Sequence, residues 1–299
     1  MTQNSLNKLV SVIVPTYARP INLCRAIDSV LAQSYSPIEI IVVDDNGDGT
    51  EQQKATENVL RYYIEQKKIK YIKHDLNKNG SAARNTGLRF SQGSFVNFLD
   101  DDDCFDSQKI EKQVTDLEAR KEFDASYCNT LLYGKRRTRY RKNIQEGNLT
   151  FELLTGKVEF NTSTILFRRN ALLDINGWDE RFCRHQDWEL MVRFFRSHKI
   201  CVTSPELFLL KKYETQNVLN RNPIKSIDYR EFFLKEMAMD IDKLPRSREV
   251  YRWQREMLSL VLMATGAKKE GRRQFLKIFS YGFPSLEAFG KFIYYILKK

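Results

Sequence analysis

Four carboxylates in a row, Asp100, Asp101, Asp102 and Asp103, follow directly on the apolar stretch 95–99. That stretch, Phe-Val-Asn-Phe-Leu, has the length and residue types of a buried strand. Its end must therefore carry four mutually repelling charges out of a core, which asks for something positive nearby. A divalent cation is the natural partner, because hard cations take oxygen ligands and bridge to phosphate. An isolated acidic run is also compatible with a solvated turn, and the neighbouring segments weigh between the two.

The same design recurs upstream. Residues 9–14 are a continuous apolar run closed by Pro15, and 38–43 are a second run ending in Asp44-Asp45-Asn46-Gly47. Both read as strands buried on two faces. Between them Pro20 stands at a first helical position, and Leu23, Ile27, Val30 and Leu31 recur at helical spacing. A helix over 51–66, a strand over 69–73 and a helix from Gly80 to about Ser91 lead to the strand before the aspartates. Strands alternating with helices imply right-handed crossovers and a mainly parallel sheet, so the fold class is α/β. Parallel strands share one carboxyl edge, and ligands bind outside it. Pro15-Thr16-Tyr17, Asp44-Asp45 and the aspartate run are expected to face one crevice there.

Further on, the sequence predicts a helix to about residue 121, one strand over 125–132, a loop over the acid-free basic segment 135–142 and a strand over 161–168. A helix over 187–197 has Leu190, Met191, Phe194 and Phe195 on its core face. Beyond about residue 220 the chain turns helical, aromatic and basic. The expected organisation is a domain over 1–220, its halves meeting near residue 103, with a helical C-terminal appendage over 221–299.

The formal charge of +11 calls for an anionic partner. Its distribution is uneven, since 268–299 hold eight Lys and Arg against two Glu. The five cysteines are scattered, fitting neither a disulfide framework nor a zinc motif, which suggests a reducing compartment. The first residues lack signal-peptide architecture and no apolar run approaches membrane-spanning length. The expected location is cytoplasmic.

Five segments together resemble the family 2 inverting glycosyltransferases of GT-A fold. They are Val-Ser-Val-Ile-Val-Pro-Thr-Tyr-Ala-Arg-Pro (10–20), Ile-Val-Val-Asp-Asp-Asn-Gly (41–47), Gly-Ser-Ala-Ala-Arg-Asn-Thr-Gly-Leu (80–88), Asn-Phe-Leu-Asp-Asp-Asp-Asp (97–103) and Gln-Asp-Trp-Glu-Leu (186–190). The resemblance covers roughly 9–213 and implies a nucleotide-sugar donor, bound by about 9–103, and an acceptor, bound by about 104–220. It also implies Mn²⁺ or Mg²⁺ and inversion at the anomeric carbon. By its pattern Asp102 ligates the metal and Asp100 contacts the ribose or a metal-bound water, leaving Asp101 and Asp103 without an assigned role. Pro15, Tyr17 and Asp45 resemble the base-binding set. A carboxylate there can accept from the N3–H of uracil, which favours a UDP-sugar; Asp44 is the alternative acceptor. Arg84, near a helix start, suits phosphate or else orders the loop beneath the site. Asp187 corresponds to the general base that takes the acceptor proton, with Gln186 where the family usually has Glu.

Two departures stand out: the histidine that many members carry after a strand equivalent to 208–213 is missing, so either the metal has fewer protein ligands or Gln216 or a water substitutes, and the Gln-x-x-Arg-Trp signature of processive synthases is missing too. One sugar per encounter is therefore expected. Members of this kind act on polyprenyl-diphosphate-linked sugars in capsule or O-antigen synthesis, the acceptor class implied here. Leu286, Phe289, Ile293 and Ile296 recur at helical spacing among lysines and arginines. Two readings of that tail stay open, a peripheral attachment to an anionic membrane surface and packing on the catalytic domain. The basic patches lack a nucleic-acid motif, so no nucleic acid is expected. A nucleotidyltransferase of related architecture would show a Gly-rich phosphate loop after the first strand, where this chain has Pro15-Thr-Tyr-Ala-Arg19. A non-catalytic nucleotide-sugar or membrane-binding module is the other alternative.

Overall fold

The computed structural model describes residues 8–134, 137–213 and 222–297. Lys135, Arg136, Gln216, Lys298 and Lys299, which the sequence reading invoked, lie outside them. Two compact units emerge, one of Met1–Leu149 with Glu159–Gln216 and one of Thr150–Val158 with Asn217–Lys299.

The first unit opens with β1 (Val10–Thr16), α1 (Pro20–Leu31), β2 (Ile38–Asp44), α2 (Glu51–Glu65), β3 (Lys70–Lys73), α3 (Gly80–Phe90) and β4 (Phe95–Phe98). It continues through β5 (Asp103–Phe105), α4 (Lys109–Ala119), β6 (Ala125–Tyr127), β7 (Thr130–Tyr133) and β8 (Thr138–Arg141). After α5 (Thr150–Leu154), which belongs to the second unit, come β9 (Ile165–Arg168), α6 (Arg169–Asp174), α7 (Gln186–Phe194), β10 (Ile200–Val202) and β11 (Leu210–Tyr213). Among the described residues the strands build a seven-stranded sheet, β10-β6-β9-β4-β1-β2-β3, and a four-stranded one, β5-β11-β7-β8. In the larger sheet β9 runs antiparallel to β4 and β6, whereas β3, β2, β1 and β4 are parallel neighbours. The strand order reverses at β1, so the crevice between the ends of β1 and β4 is where a doubly wound sheet places its ligand.

The apolar runs explain this core. Val10, Val12, Ile13, Val14, Ile41, Val42 and Val43 are all fully buried, as expected for strands covered on both faces. In α1 the residues Leu23, Ile27 and Val30 face that core, but Leu31, at the last position of the helix, is exposed. Gly87 lets α3 lie directly on β1, since a Cβ there would fall 2.2 Å from Cγ2 of Ile13.

The single strand expected over 125–132 is two. The chain leaves the larger sheet after Tyr127 and joins the smaller one at Thr130. Asn129 holds this corner, donating to the Pro205 carbonyl and accepting from the Asn143 amide. The basic segment expected as a loop supplies β8, the exposed edge of the smaller sheet. The strand expected over 161–168 begins with a 3₁₀ turn, Thr162–Thr164.

Behind the crevice lies a buried polar cross-link. Lys109 is fully buried and its Nζ donates to Asn97 Oδ1 (2.5 Å) and Gln113 Oε1 (2.6 Å). Gln113 in turn donates to the Ser126 and Thr164 carbonyls, and Asn97 to that of Ile165. Neutral amides thus tie α4, β4, β6 and β9 together three residues ahead of the aspartates.

The second unit contains α8 (Lys225–Glu236), α9 (Ala238–Asp242), α10 (Ser247–Ala264), α11 (Lys268–Leu276) and α12 (Leu286–Leu297), with α5 packed on α10. Gly156 follows α5 at φ +67°, and a Cβ there would meet Trp253 at 2.2 Å. Met263, Phe275, Ile278 and Phe292 form a small core. Leu286, Phe289, Ile293 and Leu297 remain exposed on α12, with Phe279 and Phe283 exposed just before it. No helix among the described residues is long and apolar enough to cross a membrane.

Burial pushes the Lys109 ammonium down to about 8. Above that pH the folded chain has released a proton that the unfolded chain keeps to about pH 10.4. The unfolded state then binds more protons, so this group makes stability rise with pH between those values, by up to about 1.4 kcal/mol per pH unit. Urea unfolding is expected to show that rise in the native protein and to lose it in Lys109→Met; equal slopes would refute the assignment.

Candidate active site

The ends of β1, β2 and β4 bring the expected residues to one edge. The aspartate run turns sharply after β4, and β5 begins at Asp103. Thr16 at the end of β1 donates to Asp101 Oδ2 (2.8 Å), closing the gap between the two central strands. Three of the four carboxylates, Asp100, Asp102 and Asp103, place oxygens within 4.8 Å of one another.

Cations from three different elements surround them. Arg19, in the loop before α1, reaches Asp101 at 3.1 Å and Asp102 at 2.8 Å. Arg84 of α3 pairs with Asp100 at 2.8 Å, and Lys212 of β11 with Asp103 at 2.6 Å. Burial pushes the Asp100 carboxyl up, but Arg84 and Lys212 outweigh it and hold it below the usual range. Burial wins at Asp101, which rises to about 6 against the pull of Arg19, and it also raises Asp103 against Lys212.

The donor set fits a hard divalent cation. It is all oxygen, and Asp103 Oδ1 is a buried acceptor with no hydrogen-bond partner. Sequence reasoning gave Asp103 no role, and its burial and convergence with Asp100 and Asp102 emerge only from the fold.

Two consecutive hydroxyls connect this cluster to Asp187. Thr162 donates to Asp187 Oδ1 (2.6 Å). Ser163 donates to Asp103 Oδ2 (2.7 Å) and accepts from the Asp100 amide (3.1 Å). Asp187 lies in the first turn of α7, and burial raises its carboxyl, with Arg84 opposing and Asp100 adding to the shift. Arg84 bridges the same two regions from the other side. Its second terminal nitrogen donates to Gln186 Oε1 (3.1 Å), and the guanidinium lies over the Trp178 ring. Gln186 Nε2 donates to the Phe182 carbonyl (2.8 Å), a bond that glutamate could not make. Asn85, given no role from sequence, pins the turn before α7 through the Trp178 backbone and Glu180.

Pro15 and Tyr17 stand at the end of β1, and Tyr17 is 47% exposed, leaving its ring face available. Asp45 differs from the open acceptor that the sequence suggested. It is buried, and its carboxylate accepts from His74, Asn77 and the amides of Lys78 and Asn79. Those four bonds fill its acceptor positions. Asp44 is also buried, bonded to Asn46 and Tyr71. Asn46 in turn accepts from the Ala18 amide, joining the β2 end to the loop that carries Tyr17.

A mainly parallel sheet with these carboxylates, cations and exposed ring gathered at one edge belongs to the GT-A fold class. The chain belongs to glycosyl transferase family 2, whose description matches residues 11–180. It is 26% identical over 281 residues to the amylovoran biosynthesis glycosyltransferase AmsB of Erwinia amylovora, covering 90% of this chain and 89% of that protein. To the UDP-Glc:alpha-D-GlcNAc-diphosphoundecaprenol beta-1,3-glucosyltransferase WfgD of Escherichia coli it is 25% identical over 220 residues, covering 73% and 82%. Its fold is similar to that of S. aureus TarS 1–349 in complex with UDP-GlcNAc, with a TM-score of 0.65, 18% identity and coverage of 96% and 79%. Against the longer TarS chain it spans 49% of that chain.

Asp45→Asn is expected to place an amide N–H₂ against donors and cost about 2 kcal/mol of stability. Urea unfolding checks this. Undiminished stability with weakened nucleotide binding would instead make Asp45 a direct reader of the base.

Proposed function

We propose that the chain transfers one sugar per encounter from a UDP-sugar to a saccharide acceptor, inverting the anomeric centre. The observation carrying this is the Thr162-Ser163 pair, which holds Asp187 on one side and the aspartate run on the other. In this reading Asp187 takes the acceptor hydroxyl proton while that oxygen attacks the anomeric carbon from the face opposite the diphosphate. The bond from sugar to diphosphate breaks with its electron pair leaving on the nucleotide. A carboxyl raised by burial suits this work, since a base is most effective when its pKa approaches the working pH.

Asp102 would hold Mn²⁺ or Mg²⁺, with Asp100 on the ribose or a metal-bound water, and the ion's charge would offset that of the leaving diphosphate. Pro15 and Tyr17 would receive the base, and Asp45 would support it through loop 77–79. Residues 9–103 would then serve the donor and 104–220 the acceptor. A uridine donor is supported by TarS 1–349 having been solved with UDP-GlcNAc, and by the donor in the WfgD name. That name also supports a polyprenyl-diphosphate-linked acceptor, and the AmsB name a role in bacterial polysaccharide synthesis.

The C-terminal helices would attach the enzyme peripherally to the inner face of the cell membrane. The exposed stripe Leu286, Phe289, Ile293 and Leu297, amid the basic residues of this region, supports that attachment.

Three measurements test these points. Asp187→Asn should keep donor binding and lower transfer at least ~100-fold in a panel of UDP- and GDP-sugars with Mn²⁺; unchanged transfer removes Asp187 as the base. Asp102→Ala should abolish metal-dependent UDP binding by calorimetry, and intact binding would move the metal elsewhere. The full chain should sediment with vesicles containing phosphatidylglycerol, and Phe289→Glu with Ile293→Glu should release it; retained sedimentation would contradict the membrane reading.

A further inference from the structure

Next to Asp187 is a cavity of about 380 Å³, within the roughly 300–1,000 Å³ of small-ligand sites. Arg84, Arg184, His185, Gln186, Asp187 and Trp188 line it. The rings of His185 and Trp188 stack 5.3 Å apart, giving one wall a flat aromatic surface suited to the C–H face of a pyranose.

The two arginines are in different situations. Arg84 spends its terminal nitrogens on Asp100 and Gln186. Arg184 is half-buried, and among the described residues its guanidinium has no hydrogen bond or ion pair. Asp187, the carboxylate of this cavity, is tied to Thr162. The cavity therefore carries, along with Asp187, one guanidinium that has no ion-pair partner among the described residues. None of Asp100, Asp101, Asp102 and Asp103 lines it.

We propose that Arg184 reads a negative charge on the acceptor, close to the sugar that receives the transferred unit. This rests on the reading of Asp187 as the base of a sugar transfer, and it adds the acceptor's charge to that reading. A guanidinium presents paired N–H donors that match either a phosphate or a carboxylate. The charge can come from a phosphate ester at the reducing end of the acceptor or from a uronate within it. Arg184 is thus a specificity residue for the acceptor, and the donor site works without it.

The test is calorimetric titration of the full chain, with UDP and Mn²⁺ present, against three ligands sharing one short prenyl chain. They are an N-acetylglucosaminyl diphosphate, the neutral N-acetylglucosaminide and a glucuronide. At least one anionic ligand should bind tenfold or more tightly than the neutral one, and which of them does so identifies the source of the charge. In Arg184→Gln the ratio should fall to near one with the neutral ligand's affinity unchanged, and Arg184→Lys should keep part of it. Equal affinities in the native protein, no binding of any of the three, or a ratio that survives Arg184→Gln would overturn the proposal. Asp187→Asn is judged separately by transfer. Equal native affinities, or a ratio that survives Arg184→Gln, with Asp187 still essential for transfer sinks only the assignment of Arg184.

Discussion

The structure around the site depends on the compensation of four adjacent carboxylates. A strand end cannot hold Asp100, Asp101, Asp102 and Asp103 at their observed burial without positive charge. Arg19, Arg84 and Lys212 supply it from the first loop, the third helix and the last strand of the first unit. Each pair costs desolvation that its attraction must offset, and removing one partner would leave an uncompensated buried charge. These four ion pairs, made by three cations, therefore fix where those separate elements lie around the crevice. Chemistry and architecture share one set of contacts here.

Two consequences follow for how the site acts. The donor side and the proposed base are not independent, because Thr162 and Ser163 in one turn and Arg84 on one helix each touch both. The aspartates and the start of α7 are thus linked through contacts of hydrogen-bond length. The buried Lys109 network holds β4 from behind with neutral partners, so the strand feeding the aspartates is anchored without adding to their charge.

Much of this was legible in the sequence because it rests on local patterns. The buried parallel strands follow from the apolar runs 9–14 and 38–43, and α1 from Pro20 with Leu23, Ile27 and Val30. The family followed from five segments in order. What was not legible depends on long-range packing. No local signal separates β6 from β7, since the break at Cys128-Asn129 comes from Asn129 bonding to Pro205 and Asn143. Asp45 resembles an open acceptor, and only the fold brings His74 and loop 77–79 onto it. Lys212 lies 109 residues from its aspartate, a separation at which sequence spacing carries no information. The hydroxyls of Thr162 and Ser163 looked like part of a strand.

In the proposed reaction this carboxylate cluster, partly compensated by the chain itself, receives a divalent cation together with the donor's diphosphate. Anomalous X-ray diffraction at the manganese edge, from crystals of the full chain grown with UDP and Mn²⁺, tests it most directly. A manganese peak is expected in contact with an Asp102 carboxylate oxygen and with the nucleotide's phosphates. Bound UDP with manganese elsewhere, or with no peak at the aspartates, would contradict it.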